Sequence, residues 1–265
     1  MYNLVVADFY KLRKSMVIKI LFGITSLSSI AMALMAYLIP QGKISSSLTG
    51  IGFMFSDINM VSILGAVIAG VFICGDFENK TIHDAISTGF NRGTVIISKV
   101  IVYFCSIGLI LLPYAIVTII ALSTGFEFSM GSVAIGFLNM LTADTMAVFS
   151  TSTIGQLLIT MLVLTIVYMA QLSICVPLAF ILKKQVYVVA IYYGLSILSG
   201  QLMLLADSSS IFNQIFTRTP FGGNHAFLTL DTVASDILKA LGVSFTFIIL
   251  IIIVTYTLFR KAEIK

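Results

Sequence analysis

Six stretches of the chain are nearly free of charge and long enough to cross a bilayer: Met16 to Ile39, Ile58 to Cys74, Val95 to Leu122, Gln156 to Leu182, Val186 to Leu205, and Ala240 to Phe259. A helix rising 1.5 Å per residue needs about 20 apolar residues to cover the hydrocarbon core. The second stretch is the shortest, so its helix is expected to begin earlier, near Phe53. The runs are continuous rather than alternating, which predicts helices and not barrel strands, since in lipid each backbone amide must find its partner within the segment.

Composition agrees with that pattern: 59% of the residues are apolar, 10% are charged, and the mean hydropathy is +1.10. A soluble domain carries about 25% charged residues to keep its surface wet. Six spans with short connections fill the 265 residues, so the expected fold is an all-α integral membrane protein forming a single transmembrane domain over residues 1–265.

Charge orients it. Twelve basic residues fall on one side (Lys11, Arg13, Lys14, Lys19, Lys80, Arg92, Lys99, Lys183, Lys184, Arg260, Lys261, Lys265) and three on the other (Lys43, Arg218, Lys239). Basic residues stay in the cytoplasm, so both termini are expected there. Among the acids, Asp57, Glu127, Asp144, Asp207, Asp231 and Asp236 fall outside, and Asp8, Asp76, Glu78, Asp84 and Glu263 inside. The first apolar run lacks a small-residue cleavage site, so the amino terminus is expected to be retained and not removed as a signal peptide. Cys74, Cys105 and Cys175 sit singly in apolar runs and read as packing residues.

The connections differ in character. Lys183 and Lys184 mark a tight cytoplasmic turn. The external stretches 123–155 and 206–239 are rich in Phe, Leu, Met and Ile, which predicts that they lie on or dip into the membrane, with short interfacial helices near Val133 to Leu141 and Asn213 to Phe216. The most polar stretch is Gly75 to Thr94. Thr81, Ile82, Ala85 and Ile86 at helical spacing describe an amphipathic helix across the cytoplasmic face. Asp76 and Glu78 are placed at its start, where free amides favour negative charge, and Gly89 ends it. This stretch is either a solvated loop or a docking element that transmits force from a soluble partner.

Two segments, ADFYKLRKS (Ala7 to Ser15) and DFENKTIHDAISTGFNRGTVIISK (Asp76 to Lys99), together with six spans and cytoplasmic ends, resemble the membrane subunits of type 2 ABC exporters, the ABC-2 permease family. The resemblance implies that residues 75–94 form a coupling helix seated on an ATPase subunit, assigning contact to Asp76, Phe77, Glu78, Thr81, Ile82, Asp84 and Arg92. It also implies that residues 1–15 form an interfacial helix with Leu4, Val5, Phe9 and Leu12 toward lipid and Lys11, Arg13 and Lys14 near lipid phosphates; the alternative for this segment is simple topology anchoring. The implied assembly is a plasma-membrane permease paired with a second, identical or homologous permease and two ATPase subunits, which bind ATP and Mg. Small bacterial permeases of this architecture often belong to systems that expel antimicrobial peptides.

The chain has no GxxxxGK[ST] phosphate loop, so hydrolysis is expected on a separate polypeptide and the chain itself is not expected to be an enzyme. HExxH and GxSxG are also absent. His83 and His225 fall on opposite sides, which disfavours a metal site, and no cofactor or nucleic-acid partner is expected. The span interiors read as free of ionisable residues, with Lys19 and Lys99 near ends from which they can snorkel; this counts against an ion-coupled carrier. Gln171 and Ser173 either line a translocation path or bond between helices. The stripe Ser62, Ala66 and Gly70 is either a dimer seam or internal packing, and Pro113 and Pro177 predict kinks. Rival readings are a membrane assembly factor without transport and, less favoured, an ion-coupled carrier.

Overall fold

The computed structural model describes residues 2–45, 48–129, 135–143, 151–206, 209–222 and 225–261, and within these the side chains of 151–153 and 204 are not described. Asp144, Asp207, Glu263 and Lys265, assigned sides above, and the start of the segment expected from Val133 lie outside them.

Every regular element among the described residues is helical, and six helices are long and apolar enough to cross a membrane. A surface helix, α1 (Tyr2–Lys14), is set off from the first span, α2 (Met16–Leu38), by the extended backbone of Ser15. The second span, Thr49–Glu78, is assembled from α3 (Thr49–Met54), α4 (Asp57–Ala69), a π-helical turn (Gly70–Cys74) and α5 (Gly75–Glu78). It therefore starts earlier than Phe53. A left-handed Lys80 (φ 58°) then turns the chain into α6 (Thr81–Ser87). Gly89 at φ 98° ends that helix, a conformation that suits a residue without Cβ. Asn91 opens the third span, α7 (Arg92–Ser123), by accepting a bond from the Thr94 amide at 2.7 Å.

The two internal prolines act differently. Pro113 is absorbed within the single long α7. Pro177 lies four residues beyond Ser173, whose carbonyl its ring would strike in a continuous helix, and the fourth span divides there into α9 (Thr151–Leu172) and α10 (Cys175–Leu182). The fifth span lies in α11 (Gln185–Ala206), and after α12 (Ser210–Phe216) the sixth is α13 (Ala234–Lys261). The predicted external helix near 133–141 is α8 (Phe137–Ala143), and it does not lie on the surface. Phe137, Leu138, Met140 and Leu141 are fully buried, and α8 packs against α2 and α7.

Spans two, three and four form the centre of the bundle: 61% of the residues in the most apolar stretch of each are buried, against 11% in spans five and six. Pairings of α2 with α7, α4 with α11, and α9 and α10 with α13 build the layers around them. Apolar side chains such as Phe245, Ile249 and Ile253 remain exposed on α13, as expected where hydrocarbon is the solvent. Of the free cysteines, Cys74 and Cys175 are buried and Cys105 faces outward on α7.

Candidate functional site

The end of the bundle that carries both termini gathers four charges from three elements. Lys99 of α7 donates from Nζ to Asp8 Oδ1 of α1 and to Asp76 Oδ2 of α5, both at 2.5 Å. Lys11, one turn beyond Asp8 on α1, donates to Asp76 Oδ1, and Ser98 Oγ donates to Asp8 Oδ2 at 2.9 Å. Each carboxylate therefore has both oxygens engaged, and two cations balance two anions. Burial strengthens each attraction while making an unpaired member costly; Asp76 and Lys99 are buried, whereas Lys11 is 45% exposed. Lys99 does not snorkel to solvent as the sequence suggested, because both carboxylates meet it inside the protein.

Beside the quartet, Phe77 packs edge-on against Phe180 of α10 and Phe259 of α13, with ring centroids 5.5 and 6.1 Å away. Cations flank these rings: Arg92 stands 5.4 Å from the Phe259 ring and Lys183 5.4 Å from that of Phe77. Arg92 also donates to the carbonyls of Phe259 and Arg260 at 2.6 and 2.9 Å, satisfying oxygens that the end of α13 leaves open. The short α5 and α6 pair is thus bolted to α1, α7, α10 and α13.

This geometry divides the residues assigned to partner contact. Glu78, Thr81 and Asp84 are exposed. Asp76, Phe77 and Ile82 are buried, and Arg92 is turned onto α13, so these four hold the hairpin in place and are not its outer face. Asp76 is also not at a helix start. It lies within α5, which continues the second span, and the new helix begins only after Lys80.

The apolar face of α1 needs a parallel correction. Leu12 is buried, and Leu4 and Val5 pack on the core, because α1 lies along α7. Tyr2, Val6, Phe9 and Tyr10 are the exposed apolar and aromatic side chains. Arg13 and Lys14 are exposed, but Lys11 is directed to Asp76.

A second buried acid, missed by the sequence reading, lies in the other half of the second span, after α3. Asp57, expected in an external connection, is fully buried at the start of α4. Tyr168 of α9 donates its hydroxyl to Asp57 Oδ2, and the Phe137 amide of α8 donates to the same oxygen at 3.1 Å. No described group donates to Oδ1. Gly136 makes room for this contact, since a Cβ there would strike the Tyr168 hydroxyl and the Asp57 carboxylate. The sequence signal was an acid inside a long apolar stretch, between Phe53-Met54-Phe55 and Ile58.

Gln171 and Ser173 part company. Ser173 donates to the Ala170 carbonyl at 2.6 Å at the helix break. Gln171 donates to the Pro220 carbonyl at 2.8 Å and lines a cavity of about 220 Å³ between α4, α9, α11 and the residues Pro220, Phe221, Gly222, Ala226 and Phe227. The small-residue stripe meets α11 within the same chain: Ser196 donates to Ser62 at 3.2 Å, Ala66 is fully buried, and a Cβ on Gly70 would overlap Gln185. A wider recess of about 1000 Å³ opens beyond α12, bordered by Arg218, His225, Asp231 and Lys239.

The chain matches no family model, no curated protein and no solved structure in comparisons with each. The architecture defines a multi-pass helical membrane protein, and its functional reading rests on its own residues.

Proposed function

We propose that the chain is the permease subunit of an ATP-driven ABC exporter that moves hydrophobic or amphipathic molecules out of the cell or membrane. The observation that carries this reading is the α5 and α6 hairpin between spans two and three. Its inner face is anchored through Asp76, Phe77 and Ile82, and its outer face presents Glu78, Thr81 and Asp84. A push on that outer face passes through the Asp8, Lys11, Asp76 and Lys99 quartet to α1 and to the third span. Such a rigid lever suits coupling to a soluble ATPase that closes on ATP and Mg and rocks the transmembrane halves. Cytoplasmic ends, the plasma membrane as location and a second permease copy belong to the same proposal.

The test is capture of the tagged chain from mild detergent followed by assay of the eluate for ATP hydrolysis. An ATPase is expected to co-purify with the native chain and to be lost from the double variant Glu78→Lys, Asp84→Lys, whose substitutions lie on the exposed face. Absence of ATPase from the native eluate returns the chain to the assembly-factor reading. The burial of Asp57 favours a second reading, an ion-coupled carrier, since a buried acid with no cationic partner among the described residues is the kind of group such carriers use. That reading predicts transport that collapses with the ion gradient and survives ATP depletion.

A further inference from the structure

The cavity beside Gln171 has an unusual polarity. Its polar wall comes from Asn59 and Ser62 on α4, Gln171 on α9, and Tyr192, Ser196 and Ser199 on α11. Most of their hydrogens are already committed within the protein. Asn59 Nδ2 donates to the Phe53 carbonyl at 2.9 Å and to Ser56 Oγ at 3.1 Å, and Gln171 Nε2 donates to the Pro220 carbonyl. Ser62 donates to the Ile58 carbonyl at 2.6 Å, Ser199 to the Ser196 carbonyl at 2.7 Å, and Ser196 to Ser62.

Carbonyl oxygens only accept, so the orientation of both amides is fixed. Flipping either one would set oxygen against oxygen. What remains for an occupant is therefore mainly acceptors, Asn59 Oδ1, Gln171 Oε1 and the lone pairs of the serines, beside the second N–H of Gln171. Tyr192 adds a hydroxyl that can act either way. None of these six side chains carries a formal charge. The rest of the wall is apolar, with Phe53, Met203, Phe221 and Phe227 around the polar cluster.

We propose that this cavity binds the N–H-bearing head group, a primary ammonium or primary amide, of a small amphiphile whose apolar tail lies along those side chains. The hydrogens of such a head meet the idle acceptors, whereas a carboxylate or phosphate would bring more acceptors to a wall in which acceptors outnumber free donors. The proposal deepens the exporter reading by naming a cargo class, and it rests on that reading for its role in transport. Binding itself belongs to the isolated chain and needs no ATPase, so the two fail separately.

The test is calorimetric titration of the full-length chain in maltoside micelles, blanked against protein-free micelles, with four six-carbon probes: hexylamine, hexanamide, hexyltrimethylammonium and hexanoate. Hexylamine and hexanamide are expected to bind saturably, and the trimethylammonium and carboxylate probes at least about tenfold more weakly. The trimethyl probe keeps the charge and lacks the N–H, so it separates hydrogen bonding from electrostatics. Gly200 lines the cavity with no atom within 4 Å of where its Cβ would stand. Gly200→Leu fills the space on a helix that favours leucine, and it should abolish hexylamine binding with the thermal unfolding of the protein retained. Ser199→Leu fills the cavity from the neighbouring position and serves the same purpose if the first variant does not fold. The proposal is overturned if folded native protein shows no saturable hexylamine binding, as for a cavity that holds water alone. Equal binding of all four probes, or undiminished binding to a folded filled variant, overturns it too.

Discussion

The second span carries two buried aspartates, one at the start of α4 and one in α5, and the two are held in opposite ways. Asp76 has a lysine on each oxygen, Lys99 on one and Lys11 on the other. Asp57 has no lysine or arginine among its bonded partners; its Oδ2 takes bonds from Tyr168 and the Phe137 amide, and its Oδ1 takes none from the described groups. At the Asp76 end, charge neutrality lets four ionic groups link three helices. At the Asp57 end, a polar group is enclosed by neutral donors, with weaker attraction and less to lose when its charge is removed. The end where α1, α5 and α7 meet is therefore cross-linked by paired charges, and the other rests on hydrogen bonds from uncharged donors.

The largest effect is expected from breaking the quartet. Lys99→Met leaves Asp8 and Asp76 facing each other inside the protein with one half-exposed cation, Lys11, between them and solvent. Removing one partner of a buried ion pair costs about 3–5 kcal/mol, since it strands the other. Unfolding of the purified protein in mixed detergent micelles, followed by a thiol-reactive dye, measures this directly, because Cys74 and Cys175 are buried and react on opening. Adding Asp76→Asn to Lys99→Met should restore part of the loss. A double variant no better than the single one would mean that the quartet is not an interacting unit.

Much of this bundle was legible in the chain, and the illegible part has a physical pattern. Runs of apolar residues announced the six spans and Gly89 the end of α6, while the same proline signal left α7 one helix at Pro113 and accompanied a division of the fourth span near Pro177. These are local signals, since each depends on residues a turn or two apart. The partners of Lys99 lie 91 and 23 positions away, and those of Asp57 lie 80 and 111 away. Local pattern placed Lys99 at a helix end and Asp57 in a connection, and neither inference can foresee that another segment covers the site. The same limit explains α1: an amphipathic pattern identifies an apolar face, but it does not say whether lipid or α7 meets it.

A smaller effect should follow from Tyr168→Phe, which removes the hydroxyl donor at the neutral end and leaves Asp57 with the Phe137 amide. Leaving a buried acceptor short of a partner costs about 1–3 kcal/mol, below the figure for Lys99→Met. The dye assay ranks the two variants. If Tyr168→Phe proves the more disruptive, the neutral end, and not the quartet, is the firmer joint.

The smallest effect is expected from Asp57→Asn, set against the same chemical change at Asp76. Asp76→Asn removes a charge that two lysines hold, leaving Lys99 with Asp8 alone and Lys11 without its carboxylate. Hydrogen bonds to charged groups contribute about 1.5–3 kcal/mol, so a loss of that order is expected. Asp57→Asn keeps an oxygen to accept from Tyr168 and the Phe137 amide, and it places the new NH₂ where Oδ1 had no donor. The weaker bonds of a neutral acceptor and the cost of an unpaired NH₂ are offset by the relief of burying a charge, and the net change should stay within about 1 kcal/mol. Measured side by side, the two asparagine variants turn the contrast between the ends into one number. A loss at Asp57 equal to that at Asp76 would remove the distinction between a carboxylate held by lysines and one held by uncharged donors, on which the coupling proposal depends.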